Sequence, residues 1–340
     1  LPVNATLKDV AERAGVHPGT ASRALNPATQ GLVSEATVRA VQQAAKALAY
    51  RPNPMARGLK TNKTMMVGIV VPDLSNPLFP PIVRGAEEVL SRGGYTSIIA
   101  DTDNDARREV DSIAALRARQ VDGLLVASAH REDDAVTSTV AEGVPLVLVN
   151  RRAEGAAIPT VASDDRSGIE QAVRHLVGLG HTAIAHLPGP AWLSTGFERA
   201  RAFRHYMAEL GGDLSAELSE ECGTYSVAEG ARAARAVLDR TSPTAVLAGN
   251  DQIAVGVLDV LRERGLRCPE DVSLVGYNDM TFMDKLSPPL TTVRVPHAAI
   301  GVEAAQILLR WLTVGPPGAS TVTLPVELVV RGSTARPRTR

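Results

Sequence analysis

The chain has 340 residues, too many for one ordinary core and suited to a small module joined to a larger body. Apolar residues make up 44%, as in a soluble protein, and the two cysteines, Cys222 and Cys268, are too few for a disulfide framework or a cysteine-built metal site. The net charge of −1 conceals an asymmetry: residues 1–63 hold nine basic side chains (Lys8, Arg13, Arg23, Arg39, Lys46, Arg51, Arg57, Lys60, Lys63) against three acidic ones (Asp9, Glu12, Glu35), leaving 27 basic and 34 acidic for the rest.

A basic head on an acidic body suits a polyanion partner. The first residues, Leu1-Pro2-Val3-Asn4-Ala5-Thr6, show no charged segment leading into an apolar run, and no apolar stretch reaches the roughly 18 residues that span a bilayer. The expected location is the cytoplasm.

Asp9 to Val16 reads as an amphipathic helix stopped at Gly15, and Pro18 to Asn26 as a second helix with proline at its first position, where the missing N–H costs nothing. Val10, Ala14, Val16, Ala21 and Leu25 are spaced to form a shared core, with small Ala11 permitting close approach. A third helix follows, capped by Ser34, with Val38, Val41, Ala45 and Leu48 on one face. Two short helices about a glycine turn, supported by a third, describe a helix-turn-helix unit. After Tyr50, two prolines end the third helix. One turn of helix-capable sequence then follows, too short to be stable without a partner.

From Met65 the texture changes. Apolar runs (Met65–Val71, Ser97–Ala100, Gly123–Ala127, Pro145–Val149, Thr182–Leu187, Thr244–Ala248, Val272–Gly276, Thr291–Val295) alternate with amphipathic helices. Examples of the latter are Ile82, Val83, Ala86, Val89, Leu90 and Ile300, Ala304, Ile307, Leu308, Trp311. Continuous apolar strands alternating with helices predict parallel sheets covered on both faces, and too many strands for one compact sheet predict two lobes.

Polar residues bunch just after these strands, where open α/β sheets bind ligands. The effector candidates are Asn76, Phe79 and Arg151 on one lobe, and Trp192, Arg199, Tyr225, Asn250, Asp251 and Asn278 on the other. Arginine with carboxamide or carboxylate groups suits bidentate hydrogen bonds to hydroxyls or a ligand carboxylate, and Phe79, Trp192 and Tyr225 can pack on a sugar face or a purine. Asp73, Asp164 and Asp165 read as helix caps or hinge hydrogen-bonders, a role Asp251 can also fill. Arg199→Ala is expected to abolish the effector response while sparing DNA binding.

Several motifs lead nowhere. Gly178-Leu179-Gly180-His181-Thr182-Ala183 matches a dinucleotide pattern but sits after a helix and before a strand, the reverse of what phosphate binding requires. His175, His181 and His186 lack zinc-ligand spacing and read as structural or surface histidines. No cofactor is expected, and no acid, base or nucleophile constellation points to catalysis.

The segments Thr6-Leu7-Lys8-Asp9-Val10-Ala11, Ala14-Gly15-Val16, Thr20-Ala21-Ser22-Arg23-Ala24-Leu25-Asn26 and Arg51-Pro52-Asn53 resemble the signature of the lactose-repressor (LacI/GalR) family, and the similarity runs along almost the whole chain. The resemblance implies an N-terminal all-α helix-turn-helix head on a two-lobed, periplasmic-binding-protein-like α/β body. Residues 1–50 would form the head, 51–63 a hinge helix and linker, and 64–334 the effector-binding body, followed by a polar tail at 335–340. Lobe 1 would take 64–161 and 292–322, lobe 2 163–289 and 326–334.

The resemblance also implies that the second helix lies in the major groove, with Pro18 and Gly19 at the main specificity positions beside His17, Thr20, Ser22, Arg23 and Asn26. Neither Pro18 nor Gly19 offers a side-chain hydrogen bond, a departure from the family that shifts base reading to His17, Thr20 and Arg23, the last able to be bidentate to guanine. The loop 27–32 is slightly long for the family. Met55 to Leu59 would form the hinge helix, with Asn53, Ala56, Arg57 and Lys60 near DNA and Leu59 wedged into the minor groove. The implied activity is that of a homodimeric repressor on a near-palindromic operator, controlled by a small molecule, commonly a sugar. The tail carries no leucine heptads, so no tail-mediated tetramer is expected. The rival reading, a transport-type solute-binding protein, shares the body but not the basic head.

Overall fold

The computed structural model describes residues 5–26, 29–50, 63–155, 157–318 and 321–338, in two compact units divided at Thr64 and Met65. The first unit holds three helices: α1 (Leu7–Arg13), α2 (Pro18–Leu25) and α3 (Glu35–Ala47). Each start has a local cause. Thr6 and Asp9 close a reciprocal capping box, His17 Nδ1 accepts from the Gly19 N–H at 3.1 Å, and Ser34 Oγ accepts from the Thr37 N–H. The turn after α1 needs Gly15, whose φ is +64°. Val10, Ala11, Ala21, Ala24, Val41, Ala44 and Ala45 form the buried centre, and Ala14, Val16, Val38, Leu25 and Leu48 pack around it, half-buried. Within the 27–32 loop, Gln30–Leu32 is a single 3₁₀ turn.

The second unit contains two sheets. The first, all parallel, has the order β10-β5-β4-β3-β1-β2, with β1 (Met66–Val71), β2 (Thr96–Asp101), β3 (Gly123–Val126), β4 (Leu146–Val149), β5 (Thr160–Ser163) and β10 (Thr321–Leu324). The second has the order β11-β9-β8-β7-β6, with β6 (Ile184–Leu187), β7 (Ala245–Ala248), β8 (Ser273–Asn278), β9 (Thr291–Arg294) and β11 (Glu327–Val329). Strands β3, β4, β6 and β7 are buried throughout, which accounts for their nearly uninterrupted apolar sequences.

Helices cover the sheets: α4 (Phe79–Arg92), α5 (Ala106–Ala118), α6 (Asp134–Ala141) and α11 (His297–Val314) in the first lobe, and α7 (Asp165–Gly178), α8 (Ser194–Glu209), α9 (Val227–Arg240) and α10 (Asp251–Glu263) in the second. Close approach of α4 and α11 depends on two reciprocal glycines. A Cβ on Gly301 would lie 1.9 Å from the Ile82 carbonyl oxygen, and one on Gly85 would lie 2.2 Å from that of Ala298.

Two sequence expectations need correcting. The segment from 292 was assigned to the first lobe, yet β9 pairs with β8 in the second sheet, with Val275 opposite Thr291. The chain crosses after β9, at residues 295–296, and α11 then packs on α4. The other crossings fall just after β5 and at residues 325–326. In addition, β11 is antiparallel to β9, so the second sheet is mixed.

The C-terminal residues are bound to their own lobe. Ser333, fully buried, donates to the Leu274 carbonyl at 2.6 Å and accepts from the Thr291 N–H; Ala335 and Arg338 bond Ser273 and Asp271. The three histidines have internal surroundings. His175 meets Thr334, His181 bridges Thr244 and the Ala335 carbonyl, and His186 stacks on Phe203 at 4.2 Å.

Candidate functional site: a two-lobed cleft and a helix-turn-helix surface

A cavity of about 150 Å³ lies where the C-terminal ends of both sheets meet, the position expected for ligands of open α/β sheets. Eight of the nine predicted effector residues line it: Asn76, Phe79 and Arg151 from the first lobe; Trp192, Arg199, Tyr225, Asn250 and Asn278 from the second. Asp251 does not. One of its oxygens accepts from Thr292 Oγ1 at 2.6 Å and the other from the Met280 N–H at 2.7 Å, and it has no exposed surface. Burial pushes its carboxyl up to about 7. Asn250, one residue earlier, both caps α10 through the Ile253 N–H and faces the cavity. A one-residue step at the helix start thus separates lining from core.

The two cavity arginines differ. Arg199 is 2% exposed and is held by Asp165 at 3.0 Å and by the Gly249 carbonyl at 2.8 Å, with its guanidinium 3.7 Å above the Tyr277 ring. Burial, the largest single influence, opposes its charge, but Asp165, Tyr225 and Tyr277 together outweigh it and the net shift is upward. Arg151 is 4% exposed and donates to the Ser128 carbonyl at 2.9 Å and to Asn104 Oδ1 at 3.1 Å, with no carboxylate in ion-pair reach among the described residues. Burial lowers its pKa to about 10, so it stays cationic at neutral pH. Asn278 ends β8 in a left-handed conformation, φ +114°, and its buried Oδ1 has no hydrogen-bond partner. Among the described residues, a guanidinium with no carboxylate partner and a residue with an unsatisfied amide oxygen therefore line one cavity, a recognition pair for a polar ligand.

The lobes are clasped beside this cavity. From the loop after β3, the Arg131 N–H donates to the Trp192 carbonyl at 3.1 Å, Nη1 donates to the Ala191 carbonyl at 3.0 Å, and the guanidinium lies 3.7 Å from the centre of the Phe197 ring. Glu154 holds the same guanidinium, and the Arg152 N–H donates to Ser194 Oγ.

In the head, His17, Pro18 and Arg23 are exposed on α2, while Gly19, Thr20, Ser22 and Asn26 are half-buried. His17 spends Nδ1 on its helix cap, leaving Nε2 as its outward group. Arg23 makes no ion pair among the described residues. Asn53, Ala56, Arg57, Leu59 and Lys60 lie outside the described residues.

Comparison with known proteins decides the family. Residues 6–53 match the bacterial regulatory proteins of the lacI family, and 173–334 match a periplasmic binding protein-like domain. The transcriptional regulator DegA of Bacillus subtilis is 32% identical over 97% of this chain and 98% of its own length. The chain belongs to the lacI family. Two solved family structures frame its geometry. A Lac repressor dimer bound to operator and an anti-inducer superposes with a TM-score of 0.88 at 28% identity, covering 98% of this chain and all of that one. The regulator CelR in complex with cellobiose gives 0.74 at 33% identity, covering 97% and 99%. As a lacI-family member the chain is a DNA-binding transcriptional regulator.

Sequence reasoning about this lacI-family cleft passed over Asn104, Asn150, Thr195, Thr224 and Ser226 in the lining; Asp73, read from sequence as a helix cap or hinge hydrogen-bonder, also lines it and holds Ser75. Asn104 follows β2 in the polar run Asp101-Thr102-Asp103-Asn104, the same post-strand signal that identified Asn76.

Behind Arg151, Glu109 of α5 is 3% exposed and one of its carboxylate oxygens has no partner. Burial first, then the neighbouring Asp133 carboxylate, pushes its pKa up from 4.5 to about 8, against the smaller pull of Ser128 and Arg151. The folded protein thus keeps a proton on Glu109 that the unfolded chain loses near pH 4.5. This contribution is fully present below that pH and is lost as pH rises toward 8. Melting temperature is expected to fall across pH 5 to 8, and Glu109→Gln, neutral throughout, to flatten that slope; an identical slope in the variant would assign the proton elsewhere.

Proposed function

We propose that this chain is a cytoplasmic, homodimeric repressor whose operator affinity is set by a small polar effector, a sugar or sugar derivative, bound in the interlobe cavity. The observation that carries the effector reading is that Asn278, whose buried Oδ1 has no hydrogen-bond partner among the described residues, lines the same cavity as Arg151, which has no carboxylate partner among them. An unsatisfied buried polar group costs about 1–3 kcal/mol, a cost that a hydroxyl-bearing ligand removes. Support for sugars comes from CelR, solved with cellobiose, and support for operator binding as a dimer comes from the Lac repressor structure.

Dimerisation has a physical basis on the first lobe. The edge strand β2 leaves Ile99 45% exposed, and Val110 of α5 is 50% exposed. An apolar sheet edge of this kind calls for a covering partner.

In the mechanism, two heads bind a near-palindrome. The effector changes how the two lobes close, and with it the cost of placing both heads together. By linkage, operator and effector change each other's affinity by the same factor. Arg23, exposed and without an ion pair among the described residues, reads a base edge or a phosphate.

The test is selection of bound duplexes from a random DNA pool, repeated with sugars present. A palindrome lost on addition of one sugar supports the proposal. Loss only when small molecules are stripped away makes the effector a corepressor. No enrichment under any condition refutes operator binding. Arg23→Ala is expected to cost about 1–3 kcal/mol on the selected site and to relax preference at one base pair if it reads guanine.

A further inference from the structure

The cavity alone is small. Ligand pockets commonly measure about 300–1,000 Å³, against about 150 Å³ here. Beyond Asn104 and Trp192, which belong to both, it opens into an outer recess of about 510 Å³ lined also by Asp105, Ala106, Arg107 and His130. The recess is open to solvent, so it adds a surface ledge to the enclosed cavity.

The recess has a made wall. Trp192 is 39% exposed in a chain with few aromatics, and its ring sits 4.7 Å from that of His130, tilted by 60°. The two rings come from opposite lobes, and the Arg131 bonds to the Ala191 and Trp192 carbonyls fix the indole backbone beside them. Opposite lies the start of α5. There one Asp105 oxygen caps the helix through the Arg107 and Arg108 N–H groups, and the Arg107 side chain makes no ion pair among the described residues. An exposed aromatic face with hydrogen-bonding groups at its margin matches a sugar ring, which presents C–H faces and a polar rim. A phosphate or carboxylate would need a convergent set of cations; among the described residues the recess offers Arg107 beside the carboxylate of Asp105, and His130, whose charge burial disfavours.

We infer that the recess is a second sugar subsite, so that the effector is a disaccharide or glycoside with one ring in the cavity and the other against Trp192. This rests on the cavity being the effector site. The outer ring touches groups from both lobes, so it contributes to affinity only when the lobes are closed.

The test uses the full-length chain and isothermal titration with matched sugars: cellobiose, maltose and lactose beside glucose and galactose, and xylobiose beside xylose. At least one disaccharide is expected to bind tenfold or more tightly than either of its component sugars. Ala106→Trp, an exposed substitution that fills the recess, is expected to remove that advantage and leave monosaccharide binding within twofold. His130→Ala, which withdraws support from the indole, is expected to lower disaccharide affinity selectively.

A monosaccharide binding as tightly as every disaccharide would overturn the subsite and leave the cavity reading standing. A disaccharide unaffected by both substitutions would overturn it as well. If no sugar binds, the sugar reading of the cavity falls and the subsite falls with it.

Discussion

Arg199→Ala is expected to destabilise the body by about 3–5 kcal/mol, the range for removing one partner of a buried ion pair. Both side chains are sequestered, Arg199 at 3% and Asp165 at 4% exposure. Truncation leaves Asp165 charged and uncompensated, strips the Gly249 carbonyl of its donor and removes the guanidinium from the Tyr277 face. Loss of the effector response in this variant is therefore expected to come with a loss of stability in the body. Urea unfolding of wild type, Arg199→Ala and the double variant Arg199→Ala/Asp165→Asn checks this. Partial recovery in the double variant is the expected result. A single variant as stable as wild type would show that Asp165 finds another partner.

Gly196→Ala is expected to weaken effector binding by tenfold or more while operator binding without effector is retained. A Cβ there would lie 2.1 Å from the Pro190 carbonyl oxygen and 2.7 Å from the Gly189 carbonyl. These nearest neighbours are all backbone, so the segment 189–193 must move as a whole. That segment carries Trp192 and Leu193 to the cavity and supplies the two carbonyls bound by Arg131. Overpacking of this kind costs about 1–3 kcal/mol, and about 1.4 kcal/mol is tenfold in affinity. Calorimetry with the effector, beside an operator-binding assay, reads both quantities. Unchanged effector affinity would mean that the segment adapts without disturbing the cavity.

Much of this was legible in the sequence because the relevant signals are local. Ser34 and Thr6 cap helices through their own neighbours, Gly15 marks a left-handed turn, and the apolar strands are short, continuous and bounded by polar residues. The post-strand clusters around Asn76, Arg151, Asn250 and Asn278 brought the cavity within reach, since parallel strands deliver their C-terminal ends to one side.

What escaped was non-local. Nothing in Thr291–Arg294 says which of two sheets it joins; its register against β8 decides. Asp251 looks like Asn250's equal on paper, but helix geometry turns it toward Thr292, 41 residues later. Arg199 resembled a free ligand group because its partner Asp165 is 34 residues away on another helix. Arg131 carried no motif, and only the meeting of the two lobes gives it a role.

The Arg131 clasp has a kinetic consequence. All three chain crossings involve β5 and β10 of the first sheet and β9 and β11 of the second, at one edge of each, whereas the residues Arg131 grips follow β6, at the far edge of the second sheet. With the crossings on one side and the clasp on the other, parting of the clasp lets the lobes swing about the crossings and widens the way out of the cavity beyond the recess. Occupancy is then governed by the groups inside the cavity and dwell time by a contact outside it. Sensitivity to a metabolite and the duration of the response to it can be tuned by different residues.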